Sequence, residues 1–282
     1  MSETSPLMKN LHPLIGSRGF ETPDLSGLKK VVINSEKSLQ DAKALGVDII
    51  VPANIDYKSG KIFLILYVDG ASRRRLTVNL SSASEMNAIF LCGEHGLNGK
   101  ISLSGRHNRL IDLGNTRGHK SNISCSFWGT GGVLYWGKEA TSNGFFTEFR
   151  REKDTIIVGE DCMFASEIVL RPTDMHAAFS MQTGEIMNHV PGKSYPIVIH
   201  PHVWVGQRVT VLKNVTVGPG SILGAGSIIT SNVPHSSMAG GNPGKVLRRD
   251  ISWTRSADPS AKEIGETKSM VEEHVALFEA QG

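Results

Sequence analysis

The feature that most constrains this chain is an aliphatic side chain at every sixth position between residues 199 and 233. The members of this column are Ile199, Val205, Val211, Val217, Leu223 and Ile229. Four residues after each member stands an apolar or small residue, in the series Val203, Val209, Val215, Ser221, Ser227 and Val233. A period of six matches neither the repeat of an α-helix nor the two-residue alternation of a strand. Each hexad is therefore a repeated unit of its own.

Such hexads predict a parallel β-helix, in which each hexad is a short flat strand followed by a turn. Three hexads close one triangular coil. Gly206, Gly218 and Gly224 each follow a column residue, at turns where a side chain would crowd the next coil or where φ must be positive. One coil cannot bury its own apolar face, so several coils have to stack. The column itself is expected to be core, and function is to be sought where the repeat is interrupted.

The repeat is interrupted between Leu170 and Ile199. Val158, Phe164 and Leu170 keep the six-residue step, but the following step of 29 residues is not a multiple of six. We therefore expect residues 171–196 to leave the β-helix as a loop. Long excursions from a rigid scaffold commonly carry binding and catalytic residues.

The remaining chain predicts a three-part organisation. Residues 1–84 read as a loosely structured arm followed by a small α/β extension, in which Ser35 caps a helix that ends at Gly46. Residues 85–253 form the β-helix domain, with looser coils up to about residue 149. Residues 254–282 are a helical tail, because Ile264, Val271, Val275 and Phe278 approach helical spacing. We expect this helix to cap the open end of the stack.

Composition excludes several functional classes. Thirty Lys and Arg residues stand against 27 Asp and Glu, with no basic stripe interleaved with aromatics, so nucleic acid is not an expected partner. The densest basic run, Arg73 to Arg75, is expected to be a solvated loop. Three scattered cysteines offer neither a disulfide framework nor a CxxC metal site, which favours the cytoplasm. The apolar runs are too short for a signal peptide or a membrane span.

The interruption and the segments after it carry the residues that could act in catalysis or binding. The motifs are Thr173-Asp174-Met175-His176 in the loop, His200-Pro201-His202-Val203-Trp204-Val205-Gly206 in the returning hexad, and Ala239-Gly240-Gly241-Asn242-Pro243-Gly244-Lys245-Val246 further on. Together they resemble the hexapeptide-repeat acyltransferases, above all the O-acetyltransferases of bacterial surface polysaccharides and sialic acids. The resemblance is strong over residues 158–253 and weaker from residue 88, and it leaves the first eighty residues uncovered.

The resemblance implies a specific architecture and reaction. The implied fold is a left-handed parallel β-helix, an exception to the right-handed crossover rule. A homotrimer with its sites between neighbouring subunits, acetyl-CoA as donor, a carbohydrate acceptor and no metal are implied with it. The expected activity is acetyl transfer to a sugar hydroxyl of a surface polysaccharide or its precursor.

Three residues are the catalytic candidates. By resemblance His176 is the general base, and acyl transfer to a hydroxyl requires a base with a pKa near neutrality. Asp174 either orients this imidazole or caps the loop through an Asx turn, and Glu185 is a weaker alternative partner. Trp204 places a large indole in the aliphatic hexad, at a position that is expected to point outward. By resemblance it lines the acyl site, where its N–H meets the carbonyl oxygen, although packing against the next subunit would also explain it.

The acetyl-CoA contacts are expected to be mostly backbone, because a pantetheine arm can run along the edge of the coils. The candidates are Gly206, Gly224, Ala225, Gly240 and Gly241, with Lys245 and Arg248 for the nucleotide phosphates. The motif reads Asn-Pro-Gly-Lys here, where the family more often has Asn-Pro-Ala-Lys. The missing methyl group affects local rigidity rather than the identity of the site.

Three other functions fit parts of the pattern. A zinc carbonic anhydrase shares the fold, but beyond His200 and His202 no third histidine ligand is evident. A scaffold protein that has lost activity would have no reason to keep His176 and Trp204. An N-acetyltransferase acting on a nucleotide-sugar amine or another small acceptor stays open. The sequence does not assign a role to residues 1–84.

Overall fold

The computed structural model describes residues 15–18, 20–22, 24, 26–190 and 192–280. The helices are α1 (Glu36–Ala44) and α2 (Ala261–Glu279), with short 3₁₀ turns at Gly16–Arg18 and Tyr57–Ser59. The strands are β1 (Leu28–Ile33), β2 (Val47–Ile50), β3 (Leu64–Asp69), β4 (Leu76–Leu80), β5 (Asn87–Leu91), β6 (Leu97–Leu103), β7 (Arg109–Asp112), β8 (Ser121–Phe127), β9 (Val133–Trp136), β10 (Thr141–Ser142), β11 (Phe145–Phe149), β12 (Thr155–Val158), β13 (Met163–Phe164), β14 (Ile168–Arg171), β15 (Ile197–Ile199), β16 (Trp204–Val205), β17 (Thr210–Leu212), β18 (Thr216–Val217), β19 (Ile222–Leu223), β20 (Ile228–Ile229), β21 (Ser237–Gly241) and β22 (Gly244–Arg249).

The strands form the three faces of a parallel β-helix. Sheet one has the order β1-β3-β5-β7-β9-β12-β15-β18, sheet two β10-β13-β16-β19-β21-β22, and sheet three β2-β4-β6-β8-β11-β14-β17-β20. From β10 to β20 the chain visits the three sheets in turn, so each circuit is one triangular coil. The earlier circuits alternate between sheets one and three. Neighbouring strands are parallel except in the terminal pairs β1–β3 and β21–β22.

The register confirms three hexads per coil. Val211 pairs with Ile229 and Trp204 pairs with Ile222, each partner being eighteen residues further along the chain. Every residue of the six-residue column is buried, and so is every residue of the second series. Burying one such aliphatic side chain stabilises the fold by about 1.5–3 kcal/mol. Leu170 pairs with Val211 across the interruption, so the extra residues leave the stack without breaking it.

The N-terminal region is continuous with the coils. Helix α1 starts as predicted, because the Ser35 side chain accepts from the Ser38 N–H in a reciprocal capping box. Strand β3 pairs with β5 and β4 pairs with β6, so sheets one and three both run across residue 84. The domain boundary at that residue stays a prediction. The first part of the predicted N-terminal arm, residues 1–14, lies outside the described residues.

The expectation of a solvated arginine run is wrong for its central member. Arg73 and Arg75 are exposed, but Arg74 is buried inside the β-helix. Its Nε donates to Asp112 Oδ2 at 2.8 Å, and its terminal nitrogens donate to backbone carbonyls that include that of His95. Successive residues of a strand-like segment point to opposite faces, so the middle arginine of three points inward.

The expectation that the C-terminal helix caps the end of the stack is also wrong. Helix α2 lies along the corner between sheets one and two. His274 approaches Glu160 at 3.5 Å, and the Phe278 ring lies 4.6 Å from the His200 ring. Val271 is its one buried residue, whereas Ile264 is half exposed. The C-terminal end of the aliphatic column is instead covered by the β21–β22 hairpin, whose Gly244 packs against Ile229.

Candidate functional site

The loop at residues 171–196 projects from one corner of the triangular β-helix, which we call the prism. It leaves β14 on sheet three and returns to β15 on sheet one. Part of it forms a small hairpin, in which Phe179 bridges Ile186 and the Met187 N–H donates to the Ala178 carbonyl at 2.8 Å. Its exposed apolar side chains are Met175, Phe179, Met181, Ile186, Met187 and Val190. Such an exposed apolar patch is typical of a contact site.

His176 lies on the outer part of this loop, between the strand end and the hairpin. Its side chain is exposed, and its backbone carbonyl accepts from Asn188 Nδ2 at 2.9 Å. The described part of the chain supplies no hydrogen-bond partner to its imidazole. The ring is therefore accessible to an incoming hydroxyl group.

Asp174 is engaged at the base of the loop rather than with His176. Its Oδ2 accepts from Lys213 Nζ and from Asn188 Nδ2, both at 2.7 Å. The Asp174 backbone carbonyl accepts from Arg151 Nε at 3.2 Å. Lys213 also donates to the Asn188 carbonyl and lies over the Tyr195 ring, 5.0 Å from its centre. These contacts tie both ends of the loop to neighbouring coils.

A cavity of about 330 Å³ lies beneath the loop, with Arg151, Lys193 and Lys213 among its lining residues. The carboxyl group of Asp154 also lines this cavity. Burial raises the pKa of Asp154, although backbone N–H groups of Arg151 and Arg150 act in the opposite direction. The cavity thus combines several cationic side chains with a carboxyl group that is costly to ionise.

Trp204 points outward from sheet two, as predicted. It is 39% exposed, and its ring centre lies 6.1 Å from that of Trp253, which follows β22. The β16 strand that carries it lies between β13 and β19 in the sheet.

Four predicted acetyl-CoA contacts stack at the corner between sheets two and three. Gly206, Gly224, Ala225 and Gly240 occupy this corner in three successive coils. A Cβ at Gly206 would lie 2.7 Å from the Ala225 nitrogen, so this glycine is required by the stacking of the coils. At Gly224 the nearest atom would be 3.4 Å away, which leaves the backbone open to close approach.

The other three predicted contacts lie on or beside the edge hairpin of sheet two. Gly241 ends β21 with a φ of +98°, which favours glycine. Lys245 and Arg248 are exposed on β22, which is the edge strand of the sheet. Their charges are thus accessible from solvent on the same side of the prism as Trp204.

One chain does not unite these two groups of residues. His176 and Asp174 lie at the corner between sheets one and three, whereas Trp204 is on sheet two, which is the face opposite that corner. The predicted acetyl-CoA contacts accompany Trp204. A loop of one copy placed against sheet two of another would bring the groups together.

A buried cluster beside Trp204 was missed by sequence reasoning. His202 stacks on Trp253 with ring centres 4.3 Å apart, and its Nδ1 lies 2.8 Å from Asp161 Oδ2. Asp161 also accepts from Arg255 Nε at 2.8 Å. The sequence offers no periodicity that links Trp253 to a hexad 49 residues earlier, so only the fold reveals the cluster.

His200 and His202, the two histidines of the returning hexad, both pack against aromatic rings. Burial lowers the pKa of His200 to about 4, helped by the charges of Arg18 and His274. Its ring packs between Phe20 and Phe278. Within the described ranges, no three His, Cys, Asp or Glu side chains are grouped closely enough to hold a metal ion. No helix in the described part of the chain is long and apolar enough to cross a bilayer.

Comparisons with known proteins agree with this architecture. Residues 196–231 match the family model described as bacterial transferase hexapeptide (six repeats). A polysialic acid O-acetyltransferase of Escherichia coli O1:K1 / APEC is 32% identical over 52% of this chain and 46% of its own length. The polysialic acid O-acetyltransferase of Neisseria meningitidis is 33% identical over 49% of this chain and 66% of its own length. The chain thus spans about half to two thirds of these relatives.

A solved structure extends the similarity of the fold over most of the chain. The crystal structure of the polySia specific acetyltransferase NeuO aligns with a TM-score of 0.57 and 23% identity, over 82% of this chain and 87% of that one. At this identity the alignment speaks for the fold alone. Together with the parallel coils, it shows that the chain is a left-handed β-helix protein, and residues 196–231 match a hexapeptide-repeat transferase domain.

Proposed function

We propose that this protein is an acetyl-CoA-dependent O-acetyltransferase that acts on a sugar hydroxyl of a surface polysaccharide. The main support is that the predicted site residues of one chain lie in two places, at a corner of the prism and on the opposite face. His176 stands on a projecting loop, and Trp204 stands beside an open glycine corner. A cyclic trimer would place the loop of each copy against the Trp204 face of its neighbour.

The reaction is addition to a thioester followed by elimination. The imidazole of His176 removes the proton of the acceptor hydroxyl as the oxygen attacks the thioester carbonyl carbon. The carbonyl oxygen becomes negatively charged, and the Trp204 N–H of the neighbouring copy donates a hydrogen bond to it. The C–S bond then breaks, and the imidazolium returns the proton to the departing thiolate. The products are the acetyl ester and free CoA.

The preferred acceptor is an acidic glycan of the sialic acid type. Two relatives are named as polysialic acid O-acetyltransferases, which supports this substrate class. The cavity under the loop that carries His176 is lined by Arg151, Lys193 and Lys213. Guanidinium and ammonium groups are suited to binding sugar carboxylates.

Incubation of the protein with acetyl-CoA and a glycan panel tests this proposal. The panel holds sialic acid oligomers, neutral oligosaccharides and an amino sugar, and the readouts are free thiol release and the mass of each acceptor. We expect acetyl esters on the sialic acid oligomers. His176→Ala should lower kcat by about 10²–10⁴-fold, whereas Gln182→Ala, on the exposed hairpin of the same loop, should leave it unchanged. Exclusive acetylation of the amino sugar, or full activity of His176→Ala, would contradict the proposal.

The shared site has its own test by complementation. His176→Ala and Trp204→Ala subunits are each expected to be inactive as homotrimers. Unfolding and refolding them together in equal amounts should restore activity, because about a quarter of the sites would then join an intact His176 to an intact Trp204. Refolding each variant alone gives the control. Failure of the mixture to exceed either variant would mean that both residues act within one chain.

A further inference from the structure

A strap formed by residues 250–255 crosses the corner between sheets one and two before α2 begins. It carries Trp253, whose ring is buried against the coil that also bears Trp204. Resting on the proposed function, we propose that Trp253 is a positioning residue that holds the Trp204 indole in the orientation needed at the acyl site.

Trp253 is itself locked in place by His202. Its indole Nε1 donates to the His202 carbonyl at 2.9 Å, and the His202 Nε2 lies 2.9 Å from the Trp253 carbonyl. The two rings stack with an interplanar angle of 10°. Both residues are almost fully buried, at 6% and 2% exposure. The reciprocal bonds and the stack leave the Trp253 ring a single orientation.

A second anchor fixes the strap two residues later. The Arg255 guanidinium donates to Asp161 and, through its Nη2, to the backbone carbonyls of Glu139 and Cys162. Burial raises the pKa of Asp161, but the hydrogen bond from His202 and the charge of Arg255 outweigh this and lower it overall. Asp161 therefore joins the two anchors as a carboxylate that accepts from His202 and Arg255 together.

Trp204 is flanked in its sheet by Met163 and Ile222, and the Trp253 ring lies beside it. It lies on a two-residue strand, and its side chain is substantially exposed. The Trp253 ring lies against it at an interplanar angle of 45°, which blocks part of its rotation. A catalytic donor displaced by about 1 Å can lose about a hundredfold in rate, so restriction of this side chain matters for turnover.

Fluorine NMR reads the orientation of Trp204 without depending on activity. In protein labelled with 5-fluorotryptophan, each of the four tryptophans gives one resonance, and Trp204→Phe identifies that of Trp204. We expect Trp253→Ala to shift and broaden the Trp204 resonance and to leave those of Trp128 and Trp136 in place. Trp253→Phe, which keeps an aromatic wall, should move it much less. An unchanged Trp204 resonance in Trp253→Ala would overturn the inference.

Kinetics separate positioning from general destabilisation. Trp253→Ala should lower kcat about tenfold or more while KM for acetyl-CoA changes less than about threefold, and Trp253→Phe should recover most of kcat. Val271→Ala removes a buried side chain from the adjoining helix, and it should lower Tm without lowering kcat. Equal kcat losses in Trp253→Ala and Val271→Ala would overturn the inference. Absence of transfer by the wild-type protein would instead count against the proposed function, and the fluorine spectrum would then decide on Trp253.

Discussion

Asp174 and Lys213 join the projecting loop to the following coil, with Lys213 Nζ 2.7 Å from Asp174 Oδ2. Asp174 lies two residues before His176 in the chain, and the side chains of Asp174 and Lys213 are 39% and 21% exposed. Asp174 was predicted either to orient the imidazole or to cap the loop. Within one chain it faces Lys213 and Asn188, so its observed contacts fix the base of the loop.

Lys213→Met is expected to loosen the loop. A partly exposed ion pair contributes about 1 kcal/mol or less, because water screens it, so local opening should become up to about fivefold more frequent. Chymotryptic cleavage after Phe179, followed by mass spectrometry, measures this opening. The control is Lys193→Met, which removes another lysine from the same cavity without breaking the pair. Equal cleavage rates for wild type and Lys213→Met would show that the pair does not restrain the loop.

The regular part of the fold was predictable because its signal is local. Val211 and Ile229 both belong to the six-residue column. Because each coil contains three hexads, residues one coil apart pair directly in neighbouring strands. The loop at residues 171–196 was predictable for the same reason, because the six-residue spacing is interrupted there. Residues 1–84 were predicted to hold a small α/β extension, but the membership of its strands in sheets one and three was not predictable, since the early coils lack the six-residue period.

Contacts between segments that are distant in the chain were not predictable from the sequence. His202 was weighed as a metal ligand, whereas its ring nitrogens meet Asp161 and the carbonyl of Trp253. Lys213 is an ordinary turn residue in its hexad until the loop folds over it. The amphipathic pattern of α2 predicted a helix but not its place, because four apolar residues can pack along a corner as well as over an end.

Gly206→Ala and Gly224→Ala should separate structural from ligand-binding glycines. A Cβ at Gly206 meets backbone of the next coil at 2.7 Å, so the coil must shift at a cost of about 1–3 kcal/mol. At Gly224 the nearest atom is 3.4 Å away, and we expect a change within about 0.5 kcal/mol. Urea unfolding measures both. Calorimetry should show weaker acetyl-CoA binding by Gly224→Ala, and unaltered affinity would remove Gly224 from the proposed contacts.

His200 should make the fold sensitive to mild acid. Its pKa is lowered to about 4 in the folded state, against 6.5 for the ordinary group, first by burial and then by Arg18 and His274. Between these values the unfolded chain binds the proton and the folded chain does not, so the free energy of unfolding falls as pH decreases from 6.5 towards 4. The loss is about 2–3 kcal/mol per chain.

The His200→Phe variant isolates this contribution. Phenylalanine keeps the contacts with Phe20 and Phe278 but cannot bind a proton. Thermal unfolding of both proteins at pH 7 and at pH 4.5 should therefore show a larger decrease of Tm for wild type than for the variant. Equal decreases would mean that His200 does not titrate in this range.

The buried pair of Arg74 and Asp112 should be the most sensitive polar contact of the N-terminal coils. Both side chains are fully buried, and Asp112 also accepts from the Leu97 N–H at 2.8 Å. Arg74→Met leaves the carboxylate without its countercharge, which costs about 3–5 kcal/mol. Adding Asp112→Asn keeps an acceptor for Leu97 and removes the uncompensated charge, so the double variant should be more stable than Arg74→Met.

Arg73→Met, at the exposed neighbour, should change stability by less than about 0.5 kcal/mol. Urea unfolding of the three variants checks this order, and an Arg74→Met protein as stable as Arg73→Met would contradict it.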